Sequence, residues 1–117
     1  MLNLLLSSLL FIFMSVSTVE ANQYNEDEAI IMNVSMYTPY DEGVGELTAS
    51  GKRVRKGHVA MGWKYPFGTR IYIEGLGEFT VEDRGGTITN NHVDVYTDSY
   101  DEAIQFGRRN LKVWIIK

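Results

Sequence analysis

Short stretches in which apolar and polar residues alternate are the feature that most limits how this chain can fold. In the first, Ile30, Met32 and Val34 fall on one face while Asn33 and Ser35 fall on the other, which is the period of a half-buried β-strand. The same period returns at residues 70–74, 78–82, 93–96 and 111–115. The chain is therefore predicted to consist mainly of short strands.

One helix is expected near the end of the chain. Ser99 and Glu102 form a capping box, and the apolar residues Ala103 and Phe106 follow before Gly107. Nothing resembles the regular alternation of strands and helices that builds a parallel sheet. We therefore predict an all-β fold with one short helix, arranged as a small barrel or sandwich.

The amino-terminal segment has the pattern of a signal peptide. Its apolar core runs from Leu4 to Met14, and Val19-Glu20-Ala21 fits the small-x-small pattern that precedes a cleavage site. The start carries no Lys or Arg, so an uncleaved anchor is the alternative. We predict a signal peptide at residues 1–21, a polar flexible leader at 22–29, and one domain at 30–117.

Charge and cysteine content narrow the choice of partners. After removal of residues 1–21 the chain has 11 basic and 14 acidic side chains, a net charge of −3. That balance does not suit a polyanionic partner, so no nucleic acid is expected. A secreted product would also have no stable membrane association once the signal is removed. The chain has no cysteine, so it folds without disulfides.

Two aspartates occupy places where a strand would not ordinarily carry a carboxylate. Asp94 lies between Val93 and Val95. If the valines enter the core, Asp94 projects outward toward a groove. Asp83 continues the apolar face of Val81 and, when partly buried, needs backbone N–H donors, for which the adjoining Gly85-Gly86 is the expected source. A turn cap for Asp83 and an edge-strand charge for Asp94 are the structural alternatives.

These residues belong to a series of motifs that resembles the 3D (three-aspartate) domain. That domain is a six-stranded double-psi β-barrel of bacterial wall-lytic proteins, some phage lysins and membrane-bound lytic transglycosylase A. The matching segments are Thr48-Ala49-Ser50-Gly51, His58-Val59-Ala60, Pro66-Phe67-Gly68-Thr69-Arg70-Ile71-Tyr72-Ile73, Glu82-Asp83-Arg84-Gly85-Gly86, Val93-Asp94-Val95-Tyr96, Ala103 with Phe106-Gly107, and Val113-Trp114-Ile115.

The resemblance implies cleavage of peptidoglycan glycan strands without water. The 6-hydroxyl of muramic acid attacks its own anomeric carbon and leaves a 1,6-anhydro end. Asp94 would then be the catalytic acid and base and Asp83 its electrostatic partner, while Thr48, Tyr37 and the backbone of Gly85-Gly86 would line the glycan site. An intramolecular attack supplies its own nucleophile, so one carboxyl group suffices.

For this role Asp94 must be protonated near neutral pH. Partial burial or a nearby negative charge, for which Asp83 is the expected source, would raise its pKa sufficiently.

The chain departs from the family pattern at the first of the three aspartates. Met61 or Gly62 stands where that carboxylate is expected. The absence favours a second function, a non-catalytic glycan-binding barrel similar to expansin-like modules. Asp94 is retained, which favours the lytic enzyme.

Metal and cofactor chemistry are not expected. Asp83, His92 and Asp94 are the candidate metal ligands. A catalytic zinc site ordinarily uses three ligands that include imidazole or thiolate, of which the chain has few. The basic run at residues 52–56 is either a solvated loop or a contact for anionic wall groups. Four aromatic residues could stack on sugars or pack in the core: Tyr37, Tyr40, Trp63 and Tyr96.

The signal-peptide interpretation predicts a defined mature terminus. Amino-terminal sequencing of the exported protein should begin at Asn22, because cleavage follows Ala21. A sequence that begins at Met1 would show that the segment is an uncleaved anchor instead.

Overall fold

The computed structural model describes residues 23–117, so the predicted signal peptide lies outside the described residues. This part of the chain contains six strands, one α-helix and one turn of 3-10 helix at Glu26–Glu28. The elements are β1 (Ile30–Tyr37), β2 (His58–Ala60), β3 (Arg70–Ile73), β4 (Gly77–Asp83), β5 (His92–Tyr96), α1 (Tyr100–Phe106) and β6 (Arg109–Ile115). The alternating stretches all become strands, and the expected helix forms.

The six strands close into a barrel in the order β1-β5-β2-β4-β3-β6. Two neighbouring pairs are parallel, β1 with β5 and β2 with β4, and the other pairs are antiparallel. This is the double-psi β-barrel that the family resemblance implies. Closure leaves no long edge strand exposed for pairing with another chain.

The barrel interior is filled by the apolar face of each strand. In β1, Met32 and Val34 are buried in the core, whereas Asn33 and Ser35 on the other face are only partly covered. The core residues are Met32, Val34, Val59, Met61, Tyr65, Ile71, Ile73, Val81, Val93, Val95, Phe106 and Val113. Burial of these side chains is the main favourable contribution to folding.

Helix α1 begins and ends where the sequence predicts. The Ser99 side chain accepts a hydrogen bond from the Glu102 N–H at 3.2 Å, which satisfies one of the free donors of the first turn. Gly107 ends the helix with φ of 63°, a value that favours glycine. Phe106 anchors the helix in the core.

The segment predicted as a flexible leader is partly ordered against the barrel. Tyr24 stacks on Tyr72 and Trp114, with ring centroids 4.5 and 5.6 Å apart. The Trp114 indole N–H donates to the backbone oxygen of Asn25 at 2.8 Å. The polar composition of residues 22–28 concealed this packing, because Tyr24 is the one aromatic residue in the segment.

No helix within residues 23–117 combines the length and apolar character needed to cross a membrane.

The core predicts a clear contrast between two isoleucine substitutions. Ile73 is fully buried, whereas Ile104 on α1 is 63% exposed. Ile73→Ala should destabilise the protein by about 2–5 kcal/mol because it leaves a cavity. Ile104→Ala should change stability by less than about 0.5 kcal/mol. Urea unfolding followed by circular dichroism measures both, and equal effects would contradict the barrel core described here.

Candidate active site

The short strand β2 brings the two aspartates together. Ala60 pairs with Asp94 on the antiparallel neighbour β5 and with Asp83 on the parallel neighbour β4. The β2–β4 register shifts after Val59, which pairs with Val81. Because of this shift, Asp83 rather than Glu82 lies opposite Ala60. Residues eleven positions apart in sequence thus flank one small buried side chain.

A cleft of about 440 Å³ opens at this point. Five of the six predicted site residues line it: Tyr37, Asp83, Gly85, Gly86 and Asp94. Thr48 is the exception.

Thr48 is 5% exposed, and its hydroxyl bonds Ser50 Oγ at 2.9 Å and the Lys52 carbonyl at 3.0 Å. It holds the loop that carries Ala49, so its contribution to the cleft is indirect.

Both carboxylate oxygens of Asp83 accept hydrogen bonds from the protein. The Tyr37 hydroxyl donates to Oδ2 at 2.9 Å, and the backbone N–H groups of Ala49 and Arg84 donate to Oδ1, also at 2.9 Å. The expected donors, Gly85 and Gly86, are not used in this way. Burial, and then the charge of Asp83, raise the pKa of Tyr37, so its hydroxyl remains a protonated donor. Asp83 is oriented firmly and is poorly placed to transfer a proton.

Asp94 is bonded on one side only. Its Oδ1 accepts a hydrogen bond from the Ser35 hydroxyl at 3.0 Å, and the same Ser35 oxygen lies 2.7 Å from His92 Nε2. No donor within residues 23–117 bonds to Asp94 Oδ2. Asp94 is half-buried, and burial raises its pKa, while the Ser35 hydrogen bond and His92 oppose that rise. The Asp94 carboxyl group therefore combines a raised pKa with one oxygen, Oδ2, that accepts no hydrogen bond from residues 23–117.

A nearby negative charge, that of Asp41, raises the pKa of Asp94 further. Asp41 also lines the cleft, and Thr38 orients it through its backbone N–H at 3.1 Å and its hydroxyl at 3.0 Å. Asp41 was not among the residues that the sequence motifs pointed to. A Thr-x-x-Asp turn directly after a strand is the signal that could have found it.

Close packing leaves no room for a carboxylate at the position of the absent family aspartate. A Cβ atom added to Gly62 would lie 2.3 Å from Asn90 Oδ1 and 2.9 Å from its backbone N. Met61, the other residue at this position, is fully buried in the core. Neither position can present a carboxylate to the cleft without rearrangement. Asp41 nevertheless makes the number of aspartates in the cleft three.

Two of the four basic residues in the run at residues 52–56 form ion pairs. In the basic run, Lys52 lies 3.1 Å from Glu82 and Lys56 lies 3.4 Å from Asp98. Within the part of the chain that the structure describes, no three His, Cys, Asp or Glu side chains are grouped so that they could hold a metal ion.

The strand order and the aspartate-lined cleft define a double-psi barrel of the three-aspartate type. The 3D domain family model matches residues 59–117, and the chain belongs to that family.

Two curated relatives match most of this chain but are much longer proteins. The cell wall-binding protein YocH of Bacillus subtilis (strain 168) is 30% identical over 105 residues, which cover 84% of this chain and 37% of the relative. The putative cell wall shaping protein YabE of the same strain is 26% identical over 107 residues, which cover 86% and 26% respectively. The chain thus spans well under half the length of either relative.

The fold also matches a solved enzyme structure. The crystal structure of MltA from Escherichia coli, described as a lytic transglycosylase fold, aligns with a TM-score of 0.54 at 21% identity. The alignment covers 66% of this chain and 29% of that protein. At this identity the likeness establishes the barrel fold.

The Ser35 hydrogen bond makes a testable contribution to the proton affinity of Asp94. A donor stabilises the ionised carboxylate, so Ser35→Ala should raise the pKa of Asp94. NMR titration of the Asp94 side-chain carbonyl carbon should show a midpoint at higher pH. Ser50→Ala is the matched control, because the Ser50 hydroxyl donates to Glu82 instead. An unchanged midpoint in Ser35→Ala would contradict this account.

Proposed function

We propose that this protein is a lytic transglycosylase that cleaves the MurNAc–GlcNAc bond of peptidoglycan and leaves 1,6-anhydro-MurNAc ends. The observation that carries the proposal is the difference among the three cleft aspartates. Both oxygens of Asp83 and of Asp41 accept hydrogen bonds from the protein, whereas Asp94 keeps one oxygen open. One available carboxyl group suits an intramolecular reaction better than a hydrolysis that needs two.

In the proposed reaction Asp94 acts twice. Its protonated carboxyl group first donates a proton to the glycosidic oxygen as the bond to the anomeric carbon breaks. The 6-hydroxyl of the same muramic acid residue then attacks that carbon, and the Asp94 carboxylate accepts the hydroxyl proton. The proton count is restored at the end of the cycle. The raised pKa of Asp94, caused first by burial, favours the protonated state that the first step requires.

The other cleft groups have supporting roles in this proposal. Asp83 and Asp41 supply negative charge near a reaction centre that becomes positive in the transition state. Tyr37 and the backbone of Gly86 face the glycan. A Cβ at Gly86 would meet nothing within 4 Å, whereas a Cβ at Gly85 would lie 2.7 Å from Ile88 Cγ1. Gly85 therefore keeps the turn tight, and Thr48 supports the loop on the opposite side.

A second candidate function is a barrel that binds wall glycan without cutting it. Two observations favour it: one relative is named a cell wall-binding protein, and Gly62 leaves no room for the family's first aspartate. Both functions place peptidoglycan glycan strands in the same cleft. Both also place the mature chain outside the cytoplasm at the cell wall, after removal of residues 1–21.

Replacement of Asp94 separates the two functions. Asp94→Asn keeps the size of the side chain but removes proton transfer, so release of anhydro-muropeptides from purified sacculi should fall about 10²-fold or more. Mass spectrometry measures the products, and co-sedimentation with sacculi should show that binding persists. Asp98→Asn, which changes an exposed carboxylate that pairs with Lys56, should retain activity.

Two results would count against the enzyme. Wild-type product release from Asp94→Asn would remove this residue from the mechanism. Wild-type protein that binds sacculi but releases no anhydro ends would establish the binding function instead.

A further inference from the structure

An aromatic and cationic stack stands beside the cleft. The guanidinium of Arg84 lies 5.0 Å from the ring centroid of Trp63 and 4.2 Å from that of Phe67. Trp63 nevertheless remains 81% exposed. Arg84 therefore covers only a small part of the indole, and most of its surface is open to solvent.

Arg84 is held firmly in this stack. Its guanidinium donates to the backbone oxygens of Met61 at 3.3 Å, Asp83 at 3.1 Å and Tyr65 at 2.6 Å. Its Nε–H is buried without a partner within residues 23–117, which costs free energy that stability alone would not favour. The arrangement fixes the support for Trp63 and leaves Arg84 few donors for an anionic ligand.

Four aromatic residues could stack on sugars, and the exposure of Trp63 distinguishes it from most of the others. Tyr37 and Tyr96 are buried and pack edge to face, with ring centroids 5.4 Å apart. Tyr40 is exposed but lies outside this stack. An exposed tryptophan fixed beside a cleft is a common way to present an apolar, flat surface to a ligand.

Trp63 is also continuous with the cleft. Arg84 lines the cleft and directly follows Asp83. Trp63 follows Gly62, the residue at the position of the absent family aspartate. The segment that lost a carboxylate thus carries an open aromatic surface at the cleft rim.

We propose that Trp63 forms a sugar subsite at this rim and stacks on the apolar face of an N-acetylhexosamine ring of the glycan strand. The subsite rests on the proposed glycan-binding role of the cleft, and it holds whether or not the strand is cut. A neutral pyranose fits the chemistry, because the cleft carries Asp41, Asp83 and Asp94 and the guanidinium of Arg84 is occupied by carbonyl groups. Flat C–H faces of the sugar would replace water on the indole.

Tryptophan fluorescence tests the proposal without any need for catalysis. The chain has two tryptophans, and Trp114 is only 4% exposed, so a ligand-induced change reports Trp63. An N-acetylglucosamine tetramer added to the full-length mature protein should cause a saturable blue shift. Trp63→Phe should abolish the shift, since it removes the responding indole.

Affinity measured by calorimetry gives the second readout. Trp63→Ala should weaken binding of the tetramer about tenfold, and Trp63→Phe should retain part of the affinity. Tyr100→Ala is the matched control, because it removes an aromatic ring on α1 that is 54% exposed and does not line the cleft. Circular dichroism should show that all three variants fold, as expected for exposed positions.

The binding results distinguish a failure of the Trp63 subsite from a failure of the proposed function. If wild type and Trp63→Ala bind equally well, the subsite is wrong and the cleft remains a glycan site. If neither binds the tetramer or sacculi, both proposals fail. Weaker binding in Trp63→Ala together with unchanged binding in Tyr100→Ala supports the subsite.

Discussion

The pairing of β2 with its two neighbours is the constraint on which the site depends. Three residues of this strand lie between β4 and β5, and Ala60 faces Asp83 on one side and Asp94 on the other. The parallel pairing of β1 with β5 then places Ser35 next to Asp94. A larger residue at position 60 would occupy the space between the carboxylates, and a regular β2–β4 register would present Glu82 in place of Asp83. The closed barrel holds all four strands in this relation.

Hydrogen bonding divides the three cleft aspartates into different roles. Asp83 and Asp41 are surrounded by donors, so their orientation is set before any ligand arrives. Among residues 23–117, Ser35 is the single donor to Asp94. Burial costs Asp94 more solvation than that bond restores, so its pKa rises. In the described part of the chain, both oxygens of Asp41 and of Asp83 thus accept hydrogen bonds, whereas Asp94 has one oxygen without a donor. A catalytic role requires a carboxylate oxygen that no protein group occupies, whereas a structural role does not. Oδ2 of Asp94 is such an oxygen within residues 23–117.

The change at the first family aspartate is local and has a packing cause. Gly62 lies so close to Asn90 that no side chain fits, and the following residue, Trp63, projects into solvent beside Arg84. A carboxylate is supplied to the cleft from a different loop by Asp41. The number of aspartates in the cleft is therefore kept while their positions change, and the rim gains an aromatic surface. Together these differences leave Asp94 in place while the residues around it change.

The sequence by itself determined the strands and the helix with its Ser99 cap, because alternation and capping are local properties. Its motifs also drew attention to Asp83 and Asp94, which the structure places in one cleft. It did not indicate the packing of Tyr24 on Trp114, the donors to Asp83, or the presence of Asp41 in the cleft, since each depends on residues that meet only when the barrel closes. It also suggested Thr48 as a direct contact, whereas the fold turns that hydroxyl into its own loop. Local pattern specifies which face of a strand is apolar. Only tertiary structure decides which carboxylate keeps an open oxygen, because hydrogen-bond donors come from distant parts of the chain.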